Sequence, residues 1–96
     1  MIASKSLVHN LDVRRSRIVY RAWHRGIREM DLIFGQYVDA HIADFDNNQL
    51  DELEHTMSFE DRDLLSWMTG EVATPVDTNT AMFRAIVAYR AKMDFV

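Results

Sequence analysis

Arg25-Gly26-Ile27-Arg28-Glu29 is a run whose residue types and spacing could do chemistry on another molecule. Arg25 brings a planar guanidinium, a fixed fork of donors suited to a carboxylate or a backbone carbonyl. Gly26 lacks a Cβ, so it accepts the left-handed conformation of a turn and lets a foreign backbone come near. Glu29 stands about one helical turn after Arg25, close enough to orient the fork or to accept from a partner. Arg21 shares a face with Arg25 through its spacing of four. Trp23 lies beside them, as a core residue in preference to an anchor. The chemistry on offer is polar recognition around a glycine. The structural alternative is an internal Arg25–Glu29 pair beside a helix end, which if exposed contributes roughly a few tenths of a kcal/mol.

Other chemistry has little support. The chain has no cysteine, hence no thiolate nucleophile, disulfide or thiolate metal site. Its serines stand in no nucleophile-elbow context, and its three glycines are too scattered to cradle a phosphate. His9, His24, His41 and His55 include no pair spaced by three or four, so no helical two-histidine metal site is expected. His41 falls on an apolar face and is expected as a hydrogen-bonded residue at the core edge. His24, at the end of a helix, suits the negative end of the dipole and has a minor place in a binding surface. No catalytic residue and no metal are assigned, and the protein is not expected to be an enzyme.

The 96 residues make one small domain, 48% hydrophobic, with a net charge of -4. That charge is unevenly spread. Arg14, Arg15, Arg17, Arg21, Arg25 and Arg28 occupy an acid-free segment, whereas residues 39–63 carry nine acids against Arg62 alone. Such polarity can steer a partner, but mutual neutralisation within the fold is slightly favoured. A second reading lays Arg14, Arg17 and Arg21 along nucleic-acid phosphates, as in a small regulator. The acidic pI near 5.4 speaks against it, as does lysine occurring only at Lys5 and Lys92. No apolar run approaches the roughly 20 residues that span a bilayer. The opening MIASKSLVHNLD has no hydrophobic signal core and, among lysines and arginines, only Lys5. An intracellular, soluble protein without membrane insertion is expected.

Helical periodicity positions these residues. A first helix over residues 13–24 carries Ile18, Val19, Ala22 and Trp23, and Gly26 ends it. A second, from about Arg28 to Ala43, places Met30, Ile33, Phe34, Tyr37, Val38, His41 and Ile42 on one face. Gly35 inside it costs about 1 kcal/mol against alanine, which predicts a close helix crossing. Asp46-Asn47-Asn48 reads as a capped loop before a short helix with Leu50, Leu53 and Met57. Ser58 is expected to cap a fourth helix bearing Leu64, Leu65, Trp67 and Met68, closed by Gly70. Glu71 to Asp77, with Pro75, is a connecting loop. Asp77 or Thr78 is expected to start the last helix, with Met82, Phe83, Ile86, Val87, Tyr89 and Met93. The architecture predicted is a compact all-α five-helix bundle in a single domain, 1–96, with residues 1–11 flexible.

RAWHRGIREMDLIFGQYVDAHI and FEDRDLLSWMTGE together resemble a known family: the small assembly factors that promote covalent flavin attachment to the flavoprotein subunit of succinate dehydrogenase. RGIRE is similar to that family's Arg-Gly-x-x-Glu signature, and the second block to its Asp-x-Asp-Leu-x-x-Trp element. The likeness covers about residues 14–92. It implies a five-helix bundle that binds the flavoprotein subunit, and in bacteria often that of fumarate reductase. The factor would hold its client in the state where a histidine of the client attacks the flavin C8-methyl group. By that analogy it supplies no nucleophile and shifts its client's conformational population. A monomer that binds no FAD stably is expected. Family habit favours the bacterial cytoplasm over the mitochondrial matrix. Carried over, the motif assigns partner contacts to Arg25, Gly26 and Glu29, with Arg28 and Asp31 as neighbours on the same turn. In the second block Asp61, Asp63 and Trp67 correspond; Trp67 and Leu64 are expected to pack, and Asp61 or Asp63 to cap or lie at the surface. HTMSFED departs from the family in lacking the acidic and proline character often seen before the tryptophan block.

Overall fold

A computed structural model describes residues 11–93, and every regular element among them is helical. Helix α1 (Val13–Trp23) starts at Asp12, whose side chain accepts from Arg15 N at 2.8 Å. Its inner face buries Ile18, Val19 and Ala22. Helix α2 (Arg28–His41) has Glu29 and Asp31 in its first turn, where acids complement the helix dipole. Helix α3 (Asn47–Met57) opens with a capping box between Asp46 and Gln49. Helix α4 (Asp61–Met68) and helix α5 (Ala81–Ala91) complete the five, α5 capped by the Thr80 side chain on Phe83 N.

The pair α1–α2 packs as a hairpin, and α5 packs on α2 and α3. Gly35 makes the hairpin crossing possible. A Cβ there would lie 2.3 Å from Trp23 Cδ2, so the indole occupies the space that any other residue would fill. Trp23 Nε1–H donates to Asp39 Oδ1 at 3.3 Å, fixing the ring on the second helix. Burial raises the Asp39 carboxyl above its usual pKa, and the Trp23 hydrogen bond pulls it back in part. The stripe foreseen for α2 is buried through Met30, Ile33, Phe34, Tyr37, Val38 and Ile42. Leu50, Leu53, Leu64, Met82, Phe83 and Ile86 close the core from the later helices.

Four local expectations are corrected. Helix α2 ends at His41, and residues Ile42–Asp44 tighten into a 3₁₀ turn. Ser58 does not cap α4; its hydroxyl donates to His55 O at 2.6 Å and finishes α3, while Glu60 precedes α4 without a side-chain cap bond. The last helix begins at Ala81, because Thr78 and Asn79 donate their N–H groups to Pro75 O in a turn of their own. His41 makes no hydrogen bond through its ring among the described residues; it packs among Tyr37, Phe45 and Tyr89 instead. The flexible lead foreseen over 1–11 lies outside the described residues except for Leu11, which packs against the core.

Candidate functional site

The turn between α1 and α2 is held from several sides. Helix α1 stops at His24, whose Nδ1–H donates to Tyr20 O at 2.7 Å while the ring stacks on Tyr20 with centroids 4.0 Å apart. Gly26 follows with φ +110°, a backbone angle that side-chain-bearing residues rarely adopt. One Asp31 carboxylate oxygen reaches back to accept from both Arg25 N and Gly26 N, the second at 3.2 Å. The second helix therefore caps the turn that precedes it.

Arg25 points inward. Its Nε donates to Asp61 Oδ1 at 2.7 Å, one terminal nitrogen to Met57 O at 2.6 Å and the other to Phe59 O at 2.8 Å. The guanidinium carbon lies 5.0 Å from the centre of the Phe34 ring. The Arg25 side chain is 10% exposed and that of Asp61 11%. This corrects the expected role of Arg25: its fork is spent on its own chain, tying the turn to the junction of α3 and α4. Asp31 is likewise engaged with backbone N–H groups of the turn. Nor is there an internal Arg25–Glu29 pair, because Asp61 takes that place. Asp61 is an interior ion-pair partner, whereas Asp63 is exposed. Trp67 is partly buried, edge-on to Phe59 with centroids 5.4 Å apart, and Leu64 is fully buried.

Gly26, Arg28 and Glu29 remain on the outside. A Cβ added to Gly26 would meet nothing within 4 Å, and neither Arg28 nor Glu29 has a hydrogen-bond or ion-pair partner among the described residues. A shallow depression of about 460 Å³ runs from Gly26 and Ile27 to the segment 59–62. Its far rim adds Glu60 and Arg62, which the sequence reading had not assigned. The available signal was that both flank Asp61 in the second block, and the Arg25–Asp61 pair brings that block to the first.

The arginine-rich segment is largely neutralised inside the fold. Arg14 Nη2 reaches Asp51 Oδ1 at 2.6 Å and Glu54 Oε1 at 2.7 Å, and Arg21 reaches Glu54 Oε2 at 3.2 Å. Arg15 pairs with Asp12 at 2.7 Å and donates to the carbonyls of Ile42 and Phe45. Arg14, Arg17 and Arg21 are therefore not a free row of cations for phosphates. Arg17 alone of the three is without a partner among the described residues.

Fold and site define a small helical protein that presents one rigid polar turn, clamped from within and open without. The chain belongs to the family described as the flavinator of succinate dehydrogenase, which matches residues 16–90. It is 33% identical over 78 residues to the FAD assembly factor SdhE of Acetobacter pasteurianus, covering 81% of this chain and 72% of that protein. It is also 33% identical over 60 residues to the mitochondrial succinate dehydrogenase assembly factor 2 of Arabidopsis thaliana, covering 62% of this chain and 32% of the relative. The corresponding factor of Schizosaccharomyces japonicus is 36% identical over 61 residues, covering 64% and 43%. The chain thus spans less than half the length of these two mitochondrial relatives. No solved structure matches it. No described helix is long and apolar enough to cross a membrane.

Proposed function

We propose that this protein is a non-catalytic assembly factor that binds the flavoprotein subunit of succinate dehydrogenase and promotes its covalent attachment to FAD. The observation that carries the reading is the α1–α2 turn: Gly26, Arg28 and Glu29 stand free at the surface while Arg25, Asp31 and Asp61 hold their backbone from behind. A rigid, bulk-free knob with one cation and one anion suits docking on another polypeptide. Bond formation between flavin and protein belongs to the client. This chain contributes by stabilising the client conformation in which that reaction proceeds. The related fumarate reductase subunit is a second client on the same reading, and the bacterial cytoplasm is the compartment proposed.

Glu29→Arg is the cleaner test. Gly26→Arg would force a side chain into a φ of +110°, so strain and lost docking would be confounded. Glu29 is exposed, helical and unpaired, so its replacement leaves the fold intact. Purified Glu29→Arg gives up an acid that complements the α2 dipole, about 0.3–1 kcal/mol, so its melting temperature should fall by no more than about 8 °C, yet it should fail to capture the subunit or to raise its in-gel flavin fluorescence. Full capture and full flavinylation by the variant would remove the turn from the mechanism.

A further inference from the structure

The outer face of α1 carries a second feature that the turn does not use. Val13 and Tyr20 are 67% and 63% exposed and lie on the same helix. At about 100° per residue, Val13, Arg17, Tyr20 and His24 fall within about 60° of one another, on the side of α1 opposite its buried stripe. They line or adjoin a groove of about 430 Å³ whose walls are Leu11, Val13, Ser16, Arg17, Tyr20 and Arg21. Those walls hold two guanidiniums and no carboxylate. Arg21 is partly engaged by Glu54, and Arg17 has no partner among the described residues. The neighbouring Arg14 and Arg15 are each committed to acids or carbonyls of this chain. The groove also leads directly into the docking turn, since Tyr20 stacks on His24, two residues before Gly26.

We propose that this groove is a second contact surface for the client flavoprotein, taking a segment with an apolar side chain beside a carboxylate. The apolar group would lie against Val13 and Tyr20, and the carboxylate would pair with Arg17. Charge decides among the occupants. A second copy docked about a two-fold axis would bring Arg17 towards Arg17, like charge on like. The ten residues preceding Leu11 contain Lys5 and no acid, so they offer Arg17 no counter-charge. A client segment can supply the missing anion, and continuity with the turn lets one partner cover both. The inference rests on the proposed client and extends the contact from a turn to a helix face.

The test uses the full chain and the purified, FAD-free flavoprotein subunit of succinate dehydrogenase in a direct binding titration. Tyr20→Ala and Arg17→Glu should each weaken binding at least about tenfold, as losses at anchor residues do. Arg17→Lys should retain most of the affinity. Arg17 is exposed and without a partner among the described residues, so its variants should melt at the wild-type temperature, whereas Tyr20→Ala forfeits the stack on His24 and should melt about a few degrees lower. A photo-reactive phenylalanine derivative in place of Tyr20 should cross-link to the subunit, which keeps the test decisive even if one substitution perturbs folding. Wild-type affinity in both variants, alongside lost capture by Glu29→Arg, would discard the groove and leave the turn standing. Failure of the wild-type protein to bind the subunit would sink both readings. Cross-linking at position 20 to a second copy, or back to this chain, would overturn the assignment of the occupant.

Discussion

Removing the Arg25 side chain would strand the Met57 and Phe59 carbonyls and leave the Asp61 carboxylate unpaired where it is about nine-tenths covered. Breaking such a pair from one side costs about 3–5 kcal/mol, because a buried charge loses its counterpart. Arg25→Ala should therefore lower the melting temperature by more than about 12 °C in a chain of this size. Lost client capture in that variant would report instability, in contrast to Glu29→Arg. Asp39 offers a gentler probe. Its folded pKa lies above the ordinary 3.8 because of burial. The folded state then holds the proton to higher pH than the unfolded chain does, so ionisation costs stability, and that loss is recovered as pH falls through the raised value. Asp39→Asn keeps an acceptor for Trp23 Nε1–H without the charge. It should be more stable than the wild type at neutral pH, with the gap closing on acidification in paired denaturant titrations.

At the level of elements, the α1–α2 crossing depends on one missing methyl group. Gly35→Ala gains about 1 kcal/mol of helix propensity. It also drives a Cβ to within 2.3 Å of the Trp23 ring, and overpacking of that kind typically costs about 1–3 kcal/mol. The variant should be destabilised on balance, and Trp23→Leu in the same background should recover part of the loss, both read from denaturant midpoints. The sequence announced this contact, since a glycine inside a strong amphipathic pattern needs a reason. It also announced the helices themselves, whose apolar spacing survives in the buried stripes. It could not disclose which residue ends an element when two candidates compete. Ser58 could serve the end of α3 or the start of α4, and the Pro75 turn delays α5 until Thr80. The direction of Arg25 was also illegible. Its partners lie 32 to 36 residues away, two of them are backbone carbonyls, and Glu29 was the nearer acid by sequence alone.

Across the whole molecule, the basic first helix and the acidic third helix brace each other through Arg14, Arg21, Asp51 and Glu54. These pairs are open to solvent, so salt should screen them. Arg14→Ala should lower the melting temperature at low ionic strength, and the difference from wild type should shrink at about 0.5 M salt. A shift independent of salt would mean that packing, not charge, joins these helices. The positive charge of the first helix is thus largely consumed in assembling the bundle, and of the six arginines between residues 14 and 28 only Arg17 and Arg28 are exposed without a partner among the described residues. The ties from Arg25 and Asp31 have one more consequence. A turn already immobilised in the free protein loses little further motion when a larger body closes over it. The bundle can then act as a splint, with the free energy of contact left over to straighten the limb it is strapped to.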